Sequence, residues 1–282
     1  RHKEWAVIIC LVGGGQEINT GEAGLPEWFD SLRRQFLDWD VYITPNLNDE
    51  EYRRSNEWKD LIMGLNVYEV EKLHLSTSVR SFRTPDLADL IKAILDVNIN
   101  KAKVLYDRCK FKYPIIITRE IAKAKAWIRT QCQGTTRYGL LASSGALRLK
   151  PEGIFVKNDI SVENWFLNEK SDVRSSYYLE DVVTEFDIQG LELDYSIVAW
   201  DADLRFENNE WNYYNFSGKR WNNVNSINKR IYLKNSYRVL LTRARQGMVI
   251  FIPKGDNDDN TRETKYYDGI YNYLKAIGID EI

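Results

Sequence analysis

Residues 237–253 read YRVLLTRARQGMVIFIP, and the stretch changes its period in the middle. From Ser226 to Ala244 the apolar residues recur at helical spacing; from Met248 to Ile252 they form one unbroken, largely β-branched run. A helix leading into a buried strand predicts half of a βαβ unit. Working outward, the same alternation recurs. Asp194–Trp200, Gly139–Ala142 and Tyr113–Thr118 read as strands, Ile121–Gln131 as a helix after the last of these, and Glu263–Ala276 as a terminal helix. Strands separated by helices predict an α/β fold around a mostly parallel sheet.

The remaining segments fit that frame. Trp5–Val12 reads as a buried strand that ends in the loop Gly13-Gly14-Gly15-Gln16. Pro26 is placed to start a helix with Trp28, Phe29, Leu32, Phe36 and Leu37 on its buried side. Val41–Thr44 is a short strand, residues 45–60 a polar connection, and Val67–Leu75 extended. Thr84-Pro85 marks a further helix start, with Asp86 and Asp89 near its positive end. Residues 203–225, rich in aromatics and Asn around Ser217-Gly218, read as a β-hairpin inserted into the α/β pattern.

Composition narrows the class. A chain of 282 residues with 44% hydrophobic and 28% charged content has ample material for a core, which excludes a wholly disordered chain. No apolar run is long enough to cross a bilayer and no signal peptide is recognisable; the odd number of cysteines reads as reduced thiols, from which a cytoplasmic protein is expected. The chain starts with Arg rather than Met, as expected of a segment excised from a longer one. Cys10, Cys109 and Cys132 share no metal or redox spacing, and His2 and His74 are isolated. No metal site is expected from them.

The net charge of −2 conceals a segregation. Between Arg108 and Pro151 there are ten Lys/Arg against one acid, and from Trp211 to Gly255 there are nine Lys/Arg and no acid. Residues 152–210 balance this with 15 acids against 4 bases. Clustered cations on a neutral chain point to a polyanionic partner.

An open α/β sheet binds ligands at the carboxyl ends of its strands, so loops draw attention first. Four segments stand out: Gly13–Gln16; Ser78–Arg83; Thr184–Glu192; and Leu241–Arg245. Together they offer glycine amides, arginines, a glutamine and carboxylates, an inventory that suits a phosphorylated ligand with a ribose. Each also has a plain structural reading. A glycine triplet makes a tight turn, Arg243 and Arg245 complement a helix dipole, Glu192 is a surface carboxylate, and Arg80 with Arg83 is a solvated pair.

In order and wording, these segments resemble motifs III to VI of superfamily 1 helicases of the UvrD-like kind. "VIICLVGGGQEI" is similar to motif III, "LSTSVRSF" to motif IV, "TEFDIQGLELD" to motif V and "YRVLLTRARQGMVIFIP" to motif VI. The wording resembles more closely a prokaryotic ATPase family related to the helicase-like part of Schlafen proteins, in "GGGQEINTGEAGLPEWF", "DVRSSYYLEDVVTEFDIQGLELD" and "NSYRVLLTRARQGM". The resemblance covers essentially the whole chain. It implies a three-layer P-loop NTPase (RecA-like) second lobe, residues 73–282, preceded by the tail of a first lobe, residues 1–72.

The resemblance also implies roles. Gln16 senses the γ-phosphate, Arg80 and Arg243 reach it from the second lobe with Arg243 as arginine finger, Gly15 and Gly190 offer amides near the phosphates, and Glu192 holds the ribose. The implied cofactor is ATP with Mg²⁺. This chain, however, contains no G-x-x-x-x-G-K-[ST] loop, so the Walker lysine and the Mg²⁺ ligands lie outside it. Motif III lacks the usual Gly-Asp pair, and motif V carries Glu185 and Asp187 where helicases often have His.

Two readings follow from different classes. In the first, the chain is the C-terminal half of an ATP-dependent helicase-like ATPase acting on single-stranded DNA or RNA. Lys219, Arg220, Lys229 and Arg230 then track phosphates while Trp221 and the neighbouring Trp211, Tyr213, Tyr214, Phe216 and Tyr232 stack bases. Those aromatics serve equally to bury one face of a hairpin. In the second, the chain is a non-enzymatic nucleotide-sensing or partner-binding module of a larger defence or regulatory protein. A further alternative is an ATP-dependent nuclease whose nuclease domain lies outside this chain, which itself has no PD…ExK pattern.

Overall fold

A computed structural model of the chain describes residues 5–11, 17–19, 24–46, 60, 62–75 and 86–282. Gly15, Gln16 and Arg80, and the Thr84-Pro85 helix start, fall outside the described residues. The chain divides into two compact units, residues 1–77 and 78–282.

In the first unit, helix α1 (Gly24–Gln35) precedes two short parallel strands, β1 (Asp40–Ile43) and β2 (Asn66–Glu69). Phe29 is the buried centre, packed by Leu25, Leu32, Val41, Ile43, Ile62 and Leu65. Trp28, Phe36 and Leu37, expected on the same buried side, are exposed. The helix stops at Gln35, so Phe36 and Leu37 leave the period that would carry them inward. Trp5–Leu11 is exposed and joins no sheet, contrary to the buried strand expected. An extended segment is stabilised only by a ladder partner, and none of the described residues supplies one.

The second unit is built on a six-stranded sheet in the order β11-β3-β10-β6-β4-β5, with every pairing parallel. Its strands are β3 (Ile115–Thr118), β4 (Tyr138–Ala142), β5 (Val182–Val183), β6 (Leu193–Ala199), β10 (Ala244–Phe251) and β11 (Asp280–Glu281). Ile116, Leu140, Ile197, Val249 and Phe251 share a core with Ala124 and Ile128 of helix α4 (Ile121–Gln131). The alternate residues Ile115, Ile117, Leu141, Val198, Met248 and Ile250 are equally buried. Burial of both alternating sets means that both faces of the sheet are covered, which is why these strands read as continuous apolar runs.

Further helices are α2 (Asp86–Leu95), α3 (Ile99–Cys109), α5 (Val162–Leu167), α6 (Glu185–Ile188), α7 (Ile227–Leu241) and α8 (Lys265–Ile277). Helix α2 packs on α3 and α7, and α3 on α8. The result is the three-layer α/β arrangement expected.

The inserted segment is larger than a hairpin. It is a three-stranded antiparallel meander of β7 (Leu204–Glu207), β8 (Glu210–Ser217) and β9 (Arg220–Asn223). The first turn is Asn208-Asn209 with φ of 54° and 63°, the positive pair that a type I′ two-residue hairpin loop requires. The meander is anchored by its aromatic face. Trp211 stacks on Trp200 and meets Phe206 edge-on, Phe206 stacks on Tyr273, and the Trp211 indole N–H donates to the Leu95 carbonyl at 2.8 Å. Gly269 of α8 allows this approach, because a Cβ there would overlap the Phe206 carbonyl oxygen.

Candidate functional site

Strands β6 and β10 are parallel neighbours, with Leu193 paired to Ala244. The residues just before each strand therefore lie side by side at the amino edge of the sheet. This brings Glu192 next to Arg243, whose carbonyl accepts the Leu193 N–H at 3.1 Å, with Gly190 in the turn just upstream. Both segments precede their strands, so this cluster is at the edge opposite to the carboxyl ends expected to bind ligands.

The surroundings of the three residues differ. Gly190 is exposed, with φ of +90° and open space around its α-carbon, and Glu192 is half-buried. Arg243 is 1% exposed, and its Nε donates to the Val239 carbonyl at 3.0 Å, one turn back in α7. A guanidinium packed in this way supports the helix-to-strand junction and is not presented to solvent. Arg245 lies within β10 and pairs with Asp194 at 2.7 Å, so it does not serve as a helix-dipole charge. Asp194 also accepts from the Arg137 backbone N–H and the Gln246 side chain, both at 2.8 Å.

The carboxyl edge holds a second cluster that sequence reasoning missed. The chain leaves β4 toward β5 and leaves β6 toward β10, so the connections diverge between β4 and β6. At that point Asp203 accepts from the Tyr237 hydroxyl at 2.5 Å and the Ser143 hydroxyl at 2.6 Å. Asp201 accepts from the Tyr267 hydroxyl at 3.0 Å and the Arg148 backbone N–H at 2.8 Å. Glu185, buried, accepts from both the backbone N–H and the hydroxyl of Ser144 at 2.8 Å. Burial, and then the neighbouring Asp201 charge, pushes the Asp203 carboxyl up to about 7; burial also raises Asp201. The sequence signal was the Asp201-Ala202-Asp203 spacing directly after a strand. Asp187 acts locally and closes a capping box with Thr184 at the start of α6.

The basic and aromatic residues of the insertion separate into two groups. Trp211 and Tyr232 are buried and unavailable for stacking on a base, because their rings fill the interior. Trp221 is half-buried, meets Phe216 edge-on at 5.1 Å, and donates its indole N–H to the Thr261 carbonyl at 2.8 Å. Lys219 and Arg220 are exposed at the β8–β9 turn. Lys229 and Arg230 are exposed in the first turn of α7, with the Arg230 Nε donating to the Val224 carbonyl at 2.6 Å. Cys10, Cys109 and Cys132 are free thiols. Among the described residues no group of His, Cys, Asp and Glu is arranged to hold a metal, and no helix is long and apolar enough to cross a membrane.

No curated protein and no solved structure matches this chain. One family model does, over residues 1–254, and it describes the Schlafen group 3 DNA/RNA helicase domain. That span takes in the carboxylates of both edge clusters and the whole meander. The chain belongs to the Schlafen group 3 helicase-domain family.

Proposed function

We propose that this chain supplies the motif III to VI side of a helicase-like ATPase that acts on single-stranded nucleic acid. The observation that carries the reading is the junction of Glu192 with Arg243 at adjacent strand starts, in a domain of the helicase family. Gly190 and Glu192 fit the sugar and phosphate edge of a nucleotide, one with an accessible amide and the other with a carboxylate. Arg243 does not fit as a finger in its present packing, and the sequence carries no Walker lysine.

The nucleic-acid part is supported by the acid-free run from Trp211 to Gly255, which places Lys219, Arg220, Lys229 and Arg230 on exposed elements. Anisotropy of a labelled single-stranded oligonucleotide tests it. Affinity is expected to fall at least tenfold between about 50 and about 200 mM salt. No binding at the lower salt removes the reading.

The buried Arg243 favours a second reading, a nucleotide-sensing module without turnover. Metal-dependent ATP turnover by the chain, abolished by Glu192→Ala, would exclude it.

A further inference from the structure

We infer that the pocket between the meander and residues 260–266 is a phosphate-binding site. That the phosphate belongs to a nucleic-acid strand rests on the function proposed above. The pocket has a volume of about 270 Å³ and is lined by Arg205, Tyr214, Lys219, Arg220, Trp221, Asn260, Thr261 and Tyr266. It lies below the roughly 300–1,000 Å³ of sites that enclose a whole small molecule, so the pocket suits a group rather than a complete cofactor.

Its charge is one-sided. Three of the lining residues are cations and none is an acid. Lys219 and Arg220 form no ion pair with any described residue. Arg205 is the unusual member. It is 4% exposed, its guanidinium lies between the rings of Tyr214 and Tyr266 at 3.9 and 3.5 Å, and its Nη2 has no hydrogen-bond partner. Its Nε donates to the Ala202 carbonyl at 2.9 Å. Glu207 pairs with Nη1 only at 3.9 Å and its other oxygen accepts from the Tyr214 hydroxyl at 3.3 Å, while Glu263 is bound by Lys265 and the Tyr266 hydroxyl.

A buried guanidinium whose one ion pair is at 3.9 Å, and whose Nη2 has no partner, is costly unless something more anionic answers it. An anion in the pocket does so, because the low polarity of the two tyrosine rings lets its field reach Arg205. The Lys219 ammonium and the Arg220 fork supply the direct donors from the rim, a combination that suits a tetrahedral phosphate. The Asn260 side chain adds a neutral polar group.

The test uses the 282-residue chain, the Lys219→Ala/Arg220→Ala variant, and Lys101→Ala/Lys103→Ala as a charge-matched control on exposed positions of α3. Both substituted pairs are exposed, and circular dichroism verifies folding. Calorimetry with inorganic pyrophosphate is expected to give binding to the wild type and the control and none to Lys219→Ala/Arg220→Ala. In strand binding at low salt, the pocket variant is expected to lose tenfold or more and to show a shallower salt slope, while the control stays within threefold. Equal affinity for 5′-phosphorylated and 5′-hydroxyl strands assigns the pocket to an internal diester; preference for the phosphorylated end assigns it to a terminal phosphate.

Absence of pyrophosphate binding to the wild type overturns the pocket. So does strand binding that the pocket variant retains within twofold, which leaves the nucleic-acid reading standing. Pyrophosphate binding without strand binding does the reverse. Competition by polyglutamate as strong as that by pyrophosphate overturns the assignment to phosphate.

Discussion

Asp203 and Tyr237 share a hydrogen bond of 2.5 Å in the interior, although 34 residues separate them in the chain. Asp203 follows β6 and Tyr237 sits in α7, the helix that delivers Arg243 to the start of β10. The bond therefore ties the carboxyl edge of the sheet to the element that builds its amino-edge cluster.

The first prediction concerns pH. The Asp203 carboxyl titrates near 7 in the folded protein, above its ordinary 3.8, because burial disfavours its charged form. The folded state thus holds a proton that the unfolded state has released, and stability falls as pH rises from about 4 to about 7, then levels off. Urea unfolding at about pH 5 and pH 8 is expected to show lower stability at pH 8, and Asp203→Asn to shrink that difference. An Asn variant with the wild-type pH dependence would refute the assignment.

Removal of single hydroxyls ranks the network. Tyr237→Phe strips a donor from Asp203 and the acceptor of the Asp201 backbone N–H at 3.3 Å. Tyr267→Phe strips one donor from Asp201 Oδ1, which keeps the Ala202 N–H at 2.8 Å. Tyr237→Phe is expected to cost about 1–3 kcal/mol and Tyr267→Phe less, measured by denaturant midpoint. The reverse order would mean that Asp201 is the more dependent carboxylate.

Arg243→Ala is expected to be a stability mutant before it is anything else. It empties one of the largest fully buried side chains and takes the 3.0 Å guanidinium donor from the Val239 carbonyl, for a loss of about 2–5 kcal/mol. Thermal melting distinguishes this from a finger role: a guanidinium that only reached a ligand would leave the melting temperature within a degree or two.

Gly269→Ala sets two effects against each other. Replacing a mid-helix Gly with Ala favours α8 by up to about 1 kcal/mol. The added methyl overlaps the Phe206 backbone oxygen, which has no rotamer to escape by, and overpacking of this kind costs about 1–3 kcal/mol or more. A lower melting temperature and weaker near-ultraviolet signals from the Phe206–Trp211–Tyr273 cluster are expected. A stabilised variant would show that α8 and β7 are not in contact.

The strands of the main sheet were legible because a parallel sheet covered on both faces demands unbroken apolar runs, and Tyr113–Thr118 and Met248–Ile252 are such runs. Helix α4 was legible, from Ile121 to about Gln131. Helix α3 was not, since its buried residues Ala102, Leu105, Tyr106 and Cys109 are spread among Lys, Asn and Asp, and the face forms only when α2 and α8 cover it. The insertion was visible as turn chemistry at Ser217-Gly218, but Asn208-Asn209, the turn that makes it a meander, reads as ordinary polar sequence.

Sequence alone determined the class, the strands β3, β4, β6 and β10, the acid-free segment and the family-like wording of residues 184–192 and 237–253, because period and residue type are local properties. Only the tertiary structure decided which polar residues meet. It joined Glu185 to Ser144 and Asp203 to Tyr237, packed Arg243 inside the helix-to-strand junction, and set Arg205 between two tyrosines beside Lys219 and Arg220. Burial and the resulting proton and charge balance depend on which neighbours exclude water, and those neighbours come from tens to more than a hundred residues away in the chain.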